Sequence, residues 1–173
     1  ERYNGSGATV MGCLIEGKAV LRSKLQTQLG FTWQRSRYKE LEYWSENENV
    51  APVKRIFRTP DTYGYLTFKY NPIKPLAISL SGTYTGSMLV QHLEGSGTDI
   101  DVAKETPSFF DFDLKLSYDF KVMRYATIEV NAGVQNIFNS FQNDFDQGEM
   151  RDSGYIYGPM MPRSLFAGFK IKI

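Results

Sequence analysis

The sequence predicts an all-β protein, an antiparallel meander of about seven long strands. Apolar and polar residues alternate with a period of two in successive segments, as they do in strands that bury one face. None of these segments shows the period near 3.6 of an amphipathic helix. Short and long connectors also take turns along the chain, as expected when antiparallel strands turn alternately at the two ends of a sheet.

The first three predicted strands differ in the regularity of their alternation. Residues 9–20 alternate poorly and give the least regular strand. Residues 25–34 alternate well, with Leu29 and Trp33 on the apolar side, and residues 65–70 repeat the pattern. Each segment is predicted as a strand with one apolar and one polar face.

The fourth and fifth strands are predicted to be long. Residues 76–91 read as one strand, because the even-numbered positions are apolar or glycine and most odd-numbered ones are small and polar. Residues 109–120 alternate most sharply, so one set of side chains is expected to face lipid and the other the lumen of a barrel. The apolar set includes Phe110, Phe112, Leu114 and Leu116, and the polar set includes Asp111, Asp113 and Lys115. The two aspartates have the spacing of some acid–base pairs, but their place between phenylalanines favours lumen-facing carboxylates over catalysis.

The last two strands are predicted at residues 127–135 and 164–173. In the first, Ile128 and Val130 share the apolar side; in the second, the alternation continues to the final residue, Ile173. Both segments lack a helical period and are read as strands with one apolar face.

The connectors predict a topology across a membrane. Bacterial outer-membrane barrels keep short turns on the periplasmic side and longer loops outside, so the C-terminus is expected in the periplasm. Aromatic residues near several strand ends fit the aromatic girdles of such barrels. A soluble β-sandwich, whose strands also alternate, is the alternative. The short connectors are predicted at residues 21–23, 71–75 and 121–124, and the long ones at residues 39–58, 93–106 and 140–162.

Composition narrows the functional classes. The 173 residues carry a formal net charge of +1, so no electrostatic case for nucleic-acid binding arises. With one cysteine, Cys13, and one histidine, His92, the chain can form neither an intrachain disulfide nor a Cys/His metal cluster. No Gly-x-Ser-x-Gly elbow is present. We therefore expect a protein that is not an enzyme and needs no cofactor.

The C-terminal part of the chain carries a recognisable pattern. An Asn-Ile-Phe-Asn corner follows one strand, and a Gly/Pro-punctuated loop with Pro-Arg leads to the last strand. This order resembles the C-terminal end of TonB-dependent outer-membrane receptors, although the chain ends in Ile173 where such barrels usually end in an aromatic residue. The residues of this structural motif are Asn136, Phe138, Asn139, Gly158, Pro159, Pro162, Arg163 and Gly168. Weaker matches in the family's order are Arg58-Thr59-Pro60 and the segment from Gly82 to Gly86.

The resemblance implies a role in transport. Residues 1–173 would be the C-terminal part of a 22-stranded transmembrane β-barrel, with strands and outside loops but without the plug domain, and thus a piece of a longer protein. The whole would be an energy-coupled importer in the outer membrane for a ferric siderophore, haem, cobalamin or a similar scarce nutrient. Its partners would be outer-membrane lipid or detergent, the nutrient ligand, and the TonB energy-coupling complex reached through the missing N-terminal plug. The alternative is a small complete eight-stranded barrel with a structural or adhesive role, in which the poorly alternating first segment hides a further strand.

Few residues stand out as candidates for cargo contact. His92 is interpreted as a solvated loop residue, with cargo contact as the alternative, and the aromatic residues of the last long loop could either contact cargo or pack the loops together. Asp144 and Asp146 have a spacing that suggests calcium, but the ligand register then breaks. An isolated fragment is expected to self-associate through its open sheet edges. The cargo-contact candidates are His92, Tyr155, Tyr157 and Met160.

Overall fold

The computed structural model describes residues 7–22 and 24–173, and in this part of the chain it contains ten β-strands and no helix. The all-β prediction is therefore confirmed. The strands are β1 (Ala8–Leu21), β2 (Leu25–Glu42), β3 (Val53–Arg55), β4 (Thr62–Tyr70), β5 (Leu76–Thr85), β6 (Leu89–His92), β7 (Val102–Glu105), β8 (Phe109–Met123), β9 (Ala126–Gln135) and β10 (Ser164–Lys172).

Seven strands form one antiparallel sheet in the order β1-β2-β4-β5-β8-β9-β10. Short β3 pairs with the far end of β2, and β6 and β7 form a separate hairpin. Leaving these short strands aside, each strand of the main sheet pairs with the next in the chain, so the predicted meander is confirmed. In the described part of the chain no ladder joins β1 to β10, and the sheet is open at both edges.

The fourth predicted strand is shorter than expected. β5 ends at Thr85 because its partner β4 begins at Thr62, which leaves the later residues without a ladder on that side. The chain turns away after Gly86 and forms β6, which pairs with β7 inside the expected loop 93–106. One strand over residues 76–91 is therefore wrong: the alternation continues, but it belongs to two elements.

The first predicted strand is more regular in structure than in sequence. β1 pairs with β2 along its whole length, from Ala8 opposite Tyr38 to Leu21 opposite Leu25. Its alternation is poor because apolar side chains stand on both faces, and it is almost entirely exposed. The segment forms a single strand, so the idea that it hides a further strand is wrong within the residues described.

The end of β2 also differs from the sequence prediction. β2 continues to Glu42, so the start of the predicted loop 39–58 is strand. Ser23 in the first predicted turn, and residues 1–6 of the predicted domain, lie outside the described residues.

The register aligns the more apolar side of each of the seven strands on one common face. Leu114 lies opposite Leu80 on one neighbour and Val134 on the other, and Val134 lies opposite Leu165. Because cross-strand partners point to the same side of a sheet, this apolar face is continuous from β1 to β10. Many of its large side chains are exposed, most of all on the edge strand β10, where Leu165 is exposed by 82% and Phe169 by 75%, whereas central residues such as Leu114 are half-buried.

The opposite face carries most of the charges of the strands. Lys172 Nζ lies 2.9 Å from Asp119 Oδ1 and 2.9 Å from Glu129 Oε2. These three residues line a cavity of about 300 Å³ on this face, and Lys69 and Lys115 line it as well. The two faces of β8 are thus separated as predicted: Asp113 and Lys115 lie on the polar face, and Leu114 lies on the apolar face.

The connectors are sorted by length between the two ends of the sheet. Tight turns join β1 to β2, β4 to β5 and β8 to β9, whereas long connections leave the other ends of the same strands. In the first turn Arg22 has φ 46°, and Lys24 N donates to Leu21 O at 3.0 Å. The long connections begin after Glu42, Thr85 and Gln135, and they meet above one end of the sheet. Among the described residues, no helix has the length and apolar character required to cross a bilayer.

Candidate functional site

The long connections pack together above one end of the sheet into a loop cluster, which contains the main buried core of the described residues. The β6–β7 hairpin contributes Val90, the start of β8 contributes Phe109, and the connection between β9 and β10 contributes Tyr155 and Tyr157. All four side chains are buried, whereas the sheet below has exposed faces. The cluster is therefore an ordered unit held by contacts between distant parts of the chain.

Asp144 is the polar centre of the loop cluster. Its carboxylate accepts hydrogen bonds from the hydroxyls of Tyr157 at 2.6 Å and Tyr155 at 2.8 Å, and from Lys104 Nζ. Burial would raise the pKa of Asp144, but the hydrogen bonds from Lys104, Tyr157 and Tyr155 outweigh it and hold that pKa well below its ordinary value. Asp144 thus stays ionised and fixes three side chains from two connections.

The pKa values of Tyr155 and Tyr157 shift in the opposite direction to that of Asp144. Burial, with the hydrogen bond to Asp144, raises the pKa of Tyr155 to about 12. The same two causes raise the pKa of Tyr157 well above its ordinary value. Both phenols therefore remain neutral donors over the whole physiological range.

His92 pairs the hairpin with the last long connection. Its Nε2 lies 2.9 Å from Asp146 Oδ1, and its ring stacks on Tyr155 with centroids 3.8 Å apart and an interplanar angle of 8°. Burial would raise the pKa of Asp146, but the hydrogen bonds from His92 and from the Asp152 backbone lower it overall. Gly97 is required beside this pair, because a Cβ there would overlap the Asp146 carboxylate.

Backbone contacts complete the connection between the loops. The side-chain Nε2 of Gln142 donates to the backbone carbonyl of Tyr155 at 3.1 Å, and its side-chain Oε1 accepts from the backbone N–H of Tyr157 at 2.9 Å. Arg58, from the connection between β3 and β4, has φ 55° and donates from its guanidinium to the carbonyls of Ile156 at 2.8 Å and Gly154. Three separate connections are therefore held as one body.

The Asn-Ile-Phe-Asn segment forms the corner that the sequence predicts. Asn136 and Asn139 have φ 48° and 53°, the left-handed region that asparagine tolerates better than most residues. The Asn136 side chain accepts from Ser140 N at 2.9 Å and donates to Met161 O at 2.8 Å, while Asn139 Oδ1 accepts from Arg163 N at 2.9 Å. These hydrogen bonds tie the end of β9 to the start of β10.

Other residues of the motif also have structural positions. Gly158 has φ 73°, and a Cβ there would lie 2.6 Å from the Phe109 ring. Phe138 lies on the apolar side, edge-on to Phe112 with centroids 5.8 Å apart. Gly168 lies in β10 opposite Asn131, and Pro159 and Pro162 lie in the irregular approach to that strand.

The four cargo-contact candidates differ in accessibility. His92, Tyr155 and Tyr157 are buried in the loop cluster, so the interpretation of His92 as a solvated loop residue is wrong. The two tyrosines pack loops against one another, which is one of the two roles expected from the sequence. Met160 is 78% exposed. Contact of any of the four with cargo stays a prediction.

Sequence reasoning missed the residues that hold the loop cluster. Lys104 lies 40 positions from Asp144, and no local pattern joins them. Gln142 is almost fully buried although it stands in a polar stretch that reads as a solvated loop. Asp144 and Asp146 have a calcium-like spacing, but Asp144 accepts from two tyrosines and Lys104, whereas Asp146 pairs with His92. Within residues 7–22 and 24–173, no group of three or more His, Cys, Asp or Glu side chains is arranged to hold a metal.

Comparisons with known proteins give no relative. No family model matches the sequence, and no curated protein matches it. The resemblance to TonB-dependent receptors therefore rests on the motif residues themselves.

Proposed function

We propose that the chain forms part of the wall of an energy-coupled importer in the bacterial outer membrane, with its C-terminus in the periplasm. The observation that carries the proposal is the continuous apolar face of the seven-stranded sheet. A soluble sheet of this size would bury such a face against a second layer, yet Leu165, Phe169 and Phe120 are at least half exposed. Lipid is the environment that suits such a face without a second layer.

The dimensions of the strands support a transmembrane sheet. A strand that crosses a bilayer needs about 9–11 residues, and β4, β5 and β9 have 9, 10 and 10 residues. Aromatic residues stand near both ends of the apolar face, as in the girdles of outer-membrane barrels. Trp33 and Phe110 lie toward the long connections, and Tyr70, Tyr118 and Phe120 toward the short turns.

The open edges support a wall that continues beyond this sheet. Within the described residues, β1 and β10 each have an edge of unpaired backbone groups, and such groups need partners in the hydrocarbon core of a membrane. In the proposed importer further strands supply these partners and close the barrel, and the resemblance implies 22 strands in all. The plug domain, and through it the TonB complex, would belong to the rest of that protein.

The loop cluster would stand at the outer mouth of the barrel. Its buried contacts keep the outside loops folded, so cargo would meet a preformed surface. Met160 and Met161 lie on that surface, exposed by 78% and 66%. The cargo class is the one implied by the resemblance: a ferric siderophore, haem, cobalamin or a similar scarce nutrient.

Single-cysteine labelling tests the lipid-facing assignment. In a Cys13→Ser background, Leu116→Cys places a fluorophore on the apolar face, and Ser117→Cys places it one residue away on the polar face. After refolding into phosphatidylcholine vesicles, where copies of the chain can pair across their open edges, lipid-borne quenchers should quench the probe at position 116 several-fold more than the probe at position 117. Equal quenching at both positions would contradict the proposal.

A further inference from the structure

A group of basic residues lies just beyond the apolar face, at the end that carries the long connections. Arg35 and Arg37 share the face of Trp33 on β2, and β1 places Met11 and Thr9 opposite them. Arg35 lies two residues beyond Trp33, a rise of about 7 Å along the strand. The charges therefore begin where the aromatic edge of the apolar face ends.

These residues line an open concavity, the rim pocket, with a volume of about 360 Å³. Lys39, from the far end of β2, and Lys54, from β3, bring two further positive charges to it. The lining residues are Thr9, Met11, Arg35, Arg37, Tyr38, Lys39 and Lys54.

Most of the positive charge in the rim pocket is uncompensated. Arg37 pairs with Asp61, with Nη1 and Oδ1 3.3 Å apart. In the described part of the chain, the side chains of Arg35, Lys39 and Lys54 form no hydrogen bond or ion pair, and all three residues are exposed. Three cations that converge on one pocket repel one another unless an anion lies between them. The pocket lining contains no carboxylate.

We propose that the rim pocket binds the phosphate-bearing headgroup of a lipid in the membrane leaflet at the long-loop end. This inference rests on the proposed function, because it requires the apolar face to lie in a bilayer. A guanidinium offers paired N–H donors that match phosphate oxygens, and the lysines add charge without a fixed geometry. Below the phosphate, Trp33 and Met11, exposed by 57% and 67%, would contact the start of the acyl chains.

The lysines of the opposite face do not form an equivalent site. Lys172 is paired with two carboxylates, and Lys69 and Lys115 lie on the polar face, away from the apolar side. Lys18 lies on that face as well, opposite Gln28. These residues therefore provide a matched control, with the same charge on the face that would not meet lipid.

Fluorescence quenching by brominated lipids tests the inference in a Trp44→Phe background, which leaves Trp33 as the sole tryptophan. The refolded chain is placed in phosphatidylcholine vesicles that contain either brominated phosphatidylcholine or brominated phosphatidic acid. We expect the affinity of phosphatidic acid for the site beside Trp33 to be several-fold higher than that of phosphatidylcholine. Each basic residue near an anionic lipid surface contributes about fivefold in affinity. The variant Arg35→Gln/Lys39→Gln/Lys54→Gln should remove this preference, and Lys18→Gln/Lys69→Gln/Lys115→Gln should retain it.

The possible failures are distinguishable. If brominated phosphatidylcholine does not quench Trp33, the apolar face is not in lipid and the proposed function fails. If it does quench but phosphatidic acid shows no preference, or both triple variants lose the preference equally, only the rim-pocket inference is overturned. If excess inorganic phosphate abolishes the preference and chloride at equal ionic strength does not, the pocket binds free phosphate rather than a lipid.

Discussion

Asp144 shows what a single residue does in the loop cluster and why the sequence alone does not reveal it. Its three partners come from two connections, one of them 40 positions away. A local motif can predict a corner such as Asn136–Asn139, because the partners of those asparagines lie within or next to the same loop. It cannot predict a buried carboxylate whose partners are fixed only after the sheet has formed. The same reason explains the wrong interpretation of His92.

The pKa shifts predict a window of pH in which the loop cluster is stable. Asp144 has a lowered pKa in the folded state, so its contribution is present above the ordinary carboxyl value of about 4 and is lost as the pH falls through the folded value. Tyr155 has a raised pKa, so its contribution is present below about pH 10 and is lost as the pH rises through about 12. Hydrogen exchange of the amides in residues 142–157 should show protection within this window and loss at both extremes.

Asp144→Asn should lower the pH at which these tyrosines ionise, because the anionic neighbour that disfavours tyrosinate is removed. Ultraviolet absorbance of tyrosinate during an alkaline titration measures the change. Asp99→Asn removes the same charge from an exposed position of the hairpin connection and serves as the control. Identical titration curves for both variants would contradict the role of Asp144.

Leu114 tests the apolar face at one residue. It lies in the middle of β8, between Leu80 and Val134. In a bilayer, Leu114→Arg should cost about 2–4 kcal/mol of folding free energy, because a charge near the midplane loses its hydration. Ser117→Arg, on the polar face, should cost far less. Urea-dependent folding into phosphatidylcholine vesicles measures both, and equal effects would show that the facing is wrong.

At the scale of elements, periodicity predicted the seven strands of the main sheet, but it missed the short strands β3 and β7 inside the predicted connectors 39–58 and 93–106, and it misplaced the ends of β2 and β5. The alternation over residues 76–91 has no break, because β5 and β6 both need a period of two. Their separation is caused by the partner strand, since β4 begins at Thr62 and offers no ladder beyond it. β1 shows the converse: a poor pattern still forms a strand, because the ladder to β2 supplies its hydrogen bonds. Strand limits thus depend on neighbours that a local pattern does not include.

The corner between β9 and β10 can be separated into backbone and side-chain contributions. Asn136→Gly keeps the freedom to adopt φ 48° and loses the side-chain hydrogen bonds to Ser140 and Met161. Asn136→Ala loses the side-chain hydrogen bonds and also the tolerance of positive φ. Each lost buried hydrogen bond should cost about 1–3 kcal/mol of stability. We expect Ala to be more destabilising than Gly by on the order of 1 kcal/mol. Thermal unfolding of the refolded chain measures the order, and the reverse order would contradict the assignment.

For the whole molecule, the main feature is an open sheet. One face is continuously apolar, and within the described residues the outer edges of β1 and β10 pair with no further strand. The sequence predicted this arrangement of faces and connectors, because alternation and loop length are read directly from it. It did not predict the loop cluster, whose residues look like ordinary polar loop residues.

Without detergent, the isolated chain should self-associate. The edge strand β10 is available for pairing, with Leu165, Phe169 and Ile171 on its apolar side and Lys170 and Lys172 on the other. Light scattering should show large assemblies in buffer and a much smaller species once detergent covers the apolar face. A stable monodisperse monomer in buffer would contradict both the open edges and the lipid-facing side.

The loop cluster has a consequence for the order of folding. Its contacts join residues as far apart as Arg58 and Ile156, 98 positions from each other, so they close only after the strands between them are paired. If the sheet enters a membrane from the periplasm, the long connections must cross it before these contacts exist. Once His92 meets Asp146 and both tyrosines meet Asp144 on the far side, withdrawal requires all of these contacts to break together. The loop cluster would then make withdrawal from the membrane much slower than insertion.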